Sequence, residues 1–245
     1  YGIVNINKPQ GPTSHQVSGY VKEILNIPKC GHSGSLDPNV TGVLPIALDK
    51  ATRIVYALLK SGKEYVCLMH LHSEVEEELI RKTAKDFVGK IQQLVPKRSA
   101  VKRQVRQREI YYLNILEIED KEVLFRIGCE AGFYVRKFCF DFGKKLGVGA
   151  NMKQLIRTKV SCFTDKNWHS LQDLKDAYEY YKQGKENEIR NIIVPFEYGV
   201  YYLPKIWVSD TTVDTLCHGA HLSVPGIVKY TNDFKKNDLI AIYTL

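Results

Sequence analysis

The chain has 245 residues, 44% of them hydrophobic and 25% charged, a balance that excludes a disordered polypeptide and allows one large domain or two smaller ones. With 35 Lys and Arg against 27 Asp and Glu the net charge is +8, which favours a polyanionic partner before any motif is considered. The 6 cysteines form no C-x-x-C pair, against both a zinc knuckle and a disulfide framework, and no apolar run nears the roughly 20 residues of a membrane span. Without a signal-peptide pattern at its start, the sequence reads as that of a soluble, intracellular protein with no membrane contact.

Residues 3–7 read as a short strand. Thr13-Ser14-His15-Gln16 has capping-box spacing, and Val17, Val21, Ile24 and Leu25 recur at helical intervals, so a helix is predicted over 14–25. A second helix is expected from Asp49 as cap, with Ile54, Val55, Leu58 and Leu59 on its apolar face and Gly62 as terminator. Between them, residues 30–45 are rich in Gly, Pro and Ser, which predicts irregular backbone longer than an ordinary connection. Residues 64–72 alternate as a strand with Tyr65, Cys67, Met69 and Leu71 on one face. A charged helix over 75–91 follows, then strands over 110–118 and 123–129 around a turn at Asp120, and a helix over 134–146 closed by Gly147. Ser170 and Asp173 open another helix carrying Leu171, Leu174, Ala177, Tyr178 and Tyr181.

Strands and helices mix without a regular βαβ repeat, so the class is α+β rather than a doubly wound sheet. After Tyr201-Tyr202-Leu203-Pro204 the pattern changes to short strand-like runs broken by Gly219, Pro225, Gly226 and Asn237. This predicts a catalytic-sized domain over 1–202 and a small β-rich one over 203–245. The second is small for an autonomous unit and stops in mid-strand, so it is expected to be completed by a further segment.

Three features could carry chemistry. Lys97, Arg98, Lys102, Arg103, Arg106 and Arg108 lie within twelve residues that hold no acid before Glu109, a run suited either to nucleic-acid phosphates or to a solvated hairpin. Asp37 lies between Gly34 and Gly42 and is followed by Pro38; a carboxylate on so stiff a loop suits a nucleophile or base, and equally a turn. His32, five residues earlier, could stack on a base or support the loop, and no second cluster suggests a metal site. Arg136, flanked by Tyr134 and Phe138 where a strand gives way to a helix, would need an anionic partner if buried, and Asp37 is the candidate.

Taken in order, these segments resemble a known family. Gly31-His32-Ser33-Gly34-Ser35-Leu36-Asp37-Pro38 with Thr41-Gly42-Val43-Leu44-Pro45 resembles the catalytic loop of TruB-type RNA pseudouridine synthases, and Asn7-Lys8-Pro9, Gly11 and Thr13-Ser14-His15 resemble its upstream motif. Lys63-Glu64-Tyr65-Val66 is similar to the strand bearing the family's tyrosine, and Gly132-Phe133-Tyr134-Val135-Arg136 to the segment bearing its arginine. Residues 62–72 and 98–103 look more like the archaeal and eukaryotic dyskerin branch than the bacterial enzymes. Leu203-Pro204-Lys205-Ile206-Trp207 and residues 218–227 resemble the opening of a PUA RNA-binding domain.

The resemblance implies a mixed, mostly antiparallel catalytic sheet with a PUA-like C-terminal domain. It implies a cofactor-free isomerisation of a flipped-out uridine in rRNA or tRNA, in a ribonucleoprotein with an H/ACA guide RNA and small accessory proteins. Such a protein is cytoplasmic in an archaeon and nucleolar in a eukaryote. Asp37 would assist glycosidic cleavage, Arg136 would keep it ionised, and Tyr65 would take part in removing the C5 proton. Tyr134 and Leu155 would form the apolar wall, His32 would fill the vacated stack, and Lys8, Lys97, Arg98, Lys102 and Arg103 would face RNA. Phe133 stands where the family usually has Thr, and Ile156 where an Arg usually precedes Arg157-Thr158; Phe133 is the residue expected to disturb a meeting of Asp37 with Arg136. A non-catalytic RNA-binding scaffold, and a hydrolase pairing Asp37 with Glu130, remain open on the residues alone.

Overall fold

The computed structural model describes residues 1–96, 102–231 and 234–245. The first strand, β1 (Gly2–Lys8), leads into α1 (Ser14–Leu25), whose capping box forms as the spacing predicts. Thr13 Oγ1 accepts from the Gln16 amide at 3.1 Å, and the Gln16 side chain accepts from the Thr13 amide at 2.8 Å. The stretch expected to be irregular over 30–45 is partly ordered: β2 (Cys30–His32) and β3 (Thr41–Leu48) take its two ends and leave 33–40 as the loop. Pro45 does not break β3, because its carbonyl still accepts the Ser33 amide at 3.0 Å while the neighbouring strands pair around it. Asp49 caps no helix; it sits at φ 49° and opens a 3₁₀ turn, Asp49–Ile54, that runs on into α2 (Val55–Lys60).

β1 and β3 are buried at almost every position because both of their faces are covered. Val4, Ile6, Leu44, Ile46 and Leu48 pack with Val17 and Val21 of α1 and with Leu174, Ala177 and Ile192 further on. Ile3, Val43 and Ala47 face the other way, onto Ala51, Leu58 and Phe163.

The second half starts at β4 (Lys63–Leu71), where Cys67, Met69 and Leu71 point inward as the alternation predicts. The helix expected over 75–91 is shorter: α3 (Glu77–Asp86) ends before Gly89, whose φ of +105° breaks the helix, and β5 (Gly89–Leu94) follows. Next come β6 (Val105–Glu119), β7 (Glu122–Cys129) and α4 (Val135–Leu146), closed by Gly147 in the left-handed conformation. Then comes β8 (Ala150–Val160), a strand the sequence pattern does not announce. Phe125, Phe138 and Phe142 centre this core, with Ile80 and Ala84 of α3 closing it.

β9 (Phe163–Thr164), α5 (Leu171–Lys182), α6 (Asn187–Ile192) and β10 (Ile193–Val194) complete the larger unit. Its main sheet runs β10-β1-β3-β8-β4-β7-β6-β5. Every pairing along that path is antiparallel except β3 with β8, where only Thr41↔Ile156 and Gly42↔Arg157 are in register. This parallel contact is the seam between the two halves, and Gly42 makes it possible. At φ +111° its missing Cβ would lie 2.2 Å from the Arg157 carbonyl oxygen. A separate three-stranded sheet is built from β11 (Lys205–Val208), β12 (Ile227–Tyr230) and β13 (Ala241–Thr244) in the order β12-β11-β13, with α7 (Asp210–Cys217) beside it. The whole is the α+β class that the element pattern predicts and the mostly antiparallel sheet that the resemblance implies, with the small β unit at the C-terminal end.

Candidate active site

The loop over 33–40 enters the seam and is held from beneath by residues of the upstream motif. Ser14 Oγ, buried at the start of α1, accepts the Leu36 amide at 2.8 Å. Lys8 Nζ donates to the carbonyls of Pro9 at 2.7 Å and Pro38 at 3.1 Å, and the Gly11 amide donates to the Pro38 carbonyl at 2.9 Å. Pro38 is thus tied on the side away from the cavity, and the Asp37 carbonyl accepts the Val40 amide at 3.0 Å in a tight turn. Asp37 itself stays half-exposed, with its side chain free to meet a partner across the seam.

That partner is Arg136. Its Nη2 forms an ion pair with Asp37 Oδ2. Arg136 stands in the first turn of α4, where no acidic residue of the helix lies, so Asp37 also supplies the negative charge that a helix N-terminus favours. The backbone ahead of Arg136 is fixed by Gln93, buried on β5, whose side-chain amide accepts from the Tyr134 amide at 2.8 Å and donates to its carbonyl at 3.0 Å. Phe133 does not prevent the meeting: its ring is buried in the aromatic core, 6.0 Å from Phe138.

Asp37 and Arg136 stand on the wall of a cavity of about 490 Å³ that Tyr65, Tyr134 and Leu155 also line, together with Val40, Phe133 and Met152. The volume lies in the range of small-ligand sites, and an apolar wall with a few directed polar groups is what a flat, partly polar ring requires. Two strands, the 33–40 loop and one helix N-terminus deliver these groups from the two sides of the seam. Five of the residues expected at the site from sequence therefore come together.

The cavity floor is cationic. Among the described residues the buried charged side chains are Lys8, Lys63 and Arg157, and no carboxylate is buried with them. Lys63 Nζ donates to the carbonyls of Leu58 at 3.0 Å, Leu59 at 2.8 Å and Ser61 at 2.6 Å. Burial, followed by the nearby Arg157 charge, brings its pKa down to about 7. Arg157 Nε donates to the Val43 carbonyl at 2.8 Å and Nη2 to the Gly34 carbonyl at 3.1 Å. Arg157 stands directly opposite Tyr65 in the β4–β8 ladder, and both line the cavity. Burial pushes the Tyr65 phenol up, and Arg157 acts in the opposite direction.

Several expectations need correction. Lys8 does not face RNA: it is fully buried, and its ammonium is used on two backbone carbonyls. His32 is not among the residues lining the cavity; its Nδ1 accepts the Gly34 amide at 3.3 Å, and burial, then Arg157 and His15, lower its pKa and keep it neutral. Lys102 and Arg103 are exposed just ahead of β6, whereas Lys97 and Arg98 lie outside the described residues. Glu130 lines no part of the cavity and faces Arg108 at 3.6 Å, so no carboxylate pair with Asp37 is assembled. Arg157, Lys63 and Gln93 belong to the site and were not singled out as site residues from sequence. Only the placement of Arg157-Thr158 beside Leu155 pointed to one of them.

Comparison with known proteins agrees with this geometry. Residues 22–135 match the TruB family pseudouridylate synthase N-terminal domain, residues 136–201 the tRNA pseudouridylate synthase B C-terminal domain, and residues 204–245 the PUA domain. The chain is 55% identical over 245 residues to a Methanosarcina barkeri protein named probable tRNA pseudouridine synthase B, a match covering 100% of this chain and 72% of that one. It is similar to a chain in the crystal structure of a Cbf5-Nop10-Gar1 complex, with a TM-score of 0.95 and 51% identity over 100% of this chain and 75% of the other. A chain in the structure of an H/ACA RNP bound to a substrate RNA containing 2'-deoxyuridine matches with a TM-score of 0.91 and 48% identity, over 100% of this chain and 75% of that one. The chain belongs to the TruB family of pseudouridylate synthases. Within that family it is a pseudouridine synthase of the TruB/Cbf5 type, an isomerase with a C-terminal PUA domain.

Proposed function

We propose that this chain is the catalytic subunit of a guide-RNA-directed ribonucleoprotein that converts a flipped-out uridine of rRNA, or of tRNA, to pseudouridine, with Asp37 as the carboxylate that attacks or assists at C1′. The observation that carries the reading is the Asp37–Arg136 ion pair on the wall of an apolar cavity with a cationic floor. The pair favours the ionised carboxylate that the chemistry needs. Flipping a uridine costs a few kcal/mol in lost stacking, and Leu155, Tyr134 and Tyr65 offer the base new contacts in return. Tyr65 then takes the C5 proton, and the reaction needs no cofactor. The cationic floor favours the electron-rich uracil while it is detached from the sugar.

A guide RNA and small accessory proteins are proposed as partners from the similarity to a chain in a Cbf5-Nop10-Gar1 complex and to one in an H/ACA RNP with substrate RNA. Lys102, Arg103 and the basic segment before them are proposed to meet phosphates. The same reading divides the chain into catalytic residues 1–202 and RNA-binding residues 203–245. Among the described residues no helix is long and apolar enough to cross a membrane. The proposed location is the cytoplasm of an archaeal cell or the nucleolus of a eukaryotic one.

Tritium release from RNA carrying [5-³H]uridine tests the proposal, with and without a matched H/ACA guide RNA and accessory proteins. Asp37→Asn is expected to reduce release by more than about 1,000-fold. Undiminished release from the variant removes Asp37 from the mechanism, and equal release without guide RNA removes the guide from the proposal.

A further inference from the structure

Arg157 is the largest fully buried side chain among the described residues, at 1% exposure. A buried guanidinium without an anion is costly, and the groups around it are a poor match for its charge. Lys8, Lys63 and His32 are each disfavoured in their charged forms by Arg157, and its two backbone partners, the Val43 and Gly34 carbonyls, are neutral. The exception is Tyr65, which stands directly opposite Arg157 in the β4–β8 ladder and lines the same cavity. Each of the two favours the charged form of the other. The chain places a Gly at position 42 to bring the Arg157 backbone into the seam, so the placement is built into the topology.

We propose that Arg157 is a positioning residue for the proton-removal step, holding the Tyr65 hydroxyl toward the cavity and serving as counter-ion to the phenolate that accepts the C5 proton. This rests on the reading of Tyr65 given above. Once the C5–C1′ bond has formed, C5 still carries its hydrogen. The phenolate takes that proton and becomes the phenol. The C5–H electron pair becomes the C5–C6 π bond, the C6–N1 π pair moves onto N1, and N1 takes a proton from water. Arg157 keeps its own proton throughout. A point charge on a flexible stem at this position would lack the planar fork that holds the Val43 and Gly34 carbonyls together while facing Tyr65 across the ladder.

The test uses the complete complex with guide RNA under single-turnover conditions and two substrates, uridine and 5-fluorouridine at the target position. Fluorine at C5 cannot leave as a proton, so the second substrate needs Asp37 for glycosidic cleavage but not Tyr65 as base. Arg157→Gln is expected to slow tritium release from uridine about 100-fold at pH 7, with the rate still rising at a pH where wild type has levelled off, and to rearrange 5-fluorouridine within about threefold of wild type. Arg157→Lys, which keeps the charge, is expected to recover about tenfold of the loss. Equal slowing on both substrates would overturn the proposal, because Arg157 would then act through the Gly34 carbonyl on the Asp37 loop. If Arg157→Gln precipitates, the Lys variant decides. A displaced pH profile with normal 5-fluorouridine conversion supports the proposal, and an undisplaced profile overturns it. Asp37→Asn must lose both substrates and Tyr65→Phe only the first. Retention of the first by Asp37→Asn sinks the reading of the nucleophile, whereas retention by Tyr65→Phe sinks the present proposal and leaves Asp37 untouched.

Discussion

Two glycines with nearly the same backbone angle separate conformational strain from close approach. Gly42 has φ +111° and Gly11 has φ +110°, yet a Cβ at Gly11 meets nothing within 4 Å, while one at Gly42 meets the Arg157 oxygen at 2.2 Å and its nitrogen at 2.8 Å. Alanine at either position bears a strain of about 1–3 kcal/mol for an L residue in that region. Only Gly42→Ala must also push β3 away from β8, which adds about 1–3 kcal/mol of overpacking. The predicted loss is therefore about 3–5 kcal/mol for Gly42→Ala, against about 2 kcal/mol for Gly11→Ala. Urea unfolding followed by far-ultraviolet circular dichroism measures both. Because β8 carries Arg157 and Leu155 together, the Gly42 variant should also lose isomerisation beyond what its stability explains. Equal destabilisation of the two variants, within about 0.5 kcal/mol, would refute the tight β3–β8 seam on which the site geometry depends.

Arg136→Ala should change stability by less than about 1 kcal/mol, since both partners of its ion pair are half-exposed, while lowering tritium release by about 100-fold or more; a loss of folding in proportion to activity would contradict this. Lys63 has a folded-state pKa of about 7 against an ordinary lysine value of 10.5. The unfolded chain therefore binds the extra proton between those two values, and stability rises with pH across that window. Relative to Lys63→Met, wild type should gain about 2 kcal/mol between pH 7 and 9 in urea unfolding, and a flat difference would place the Lys63 charge in solvent. Ser14→Ala leaves the buried Leu36 amide without its acceptor, for a cost of about 1–3 kcal/mol. It should loosen the Asp37 loop and lower the maximal rate with little change in RNA affinity, which a titration with catalytically idle RNA would check.

Much of the architecture is legible where the signal is local. The capping box at Thr13, the alternation of Tyr65, Cys67, Met69 and Leu71, and the closing Gly147 each involve residues within a few positions of one another. The failures have equally local causes. Residues 75–91 carry helical charge spacing up to Asp86, and Gly89 then turns the chain into a strand whose own alternation, Ile91 and Gln93 inward, was hidden by the glutamines. β3 reads as a loop because it contains Thr, Gly and Pro, yet its eight residues are nearly all buried between two layers. β8 shows no clean alternation because its register against β4 shifts twice and one of its buried residues is an arginine.

Sequence by itself was enough to determine the family motifs, the α+β class and the expectation that Asp37 needs a partner. Those are properties of short segments and of their order along the chain. Tertiary structure alone decided which cations are exposed and which are buried, and that Arg136, not Glu130, reaches Asp37. It also placed Lys8 beneath the loop and Arg157 against Tyr65. The reason is that burial and pairing are set by contacts between distant positions. Arg157 bonds the Val43 carbonyl across 114 residues, and no local spacing rule encodes whether a cation so placed is solvated or desolvated.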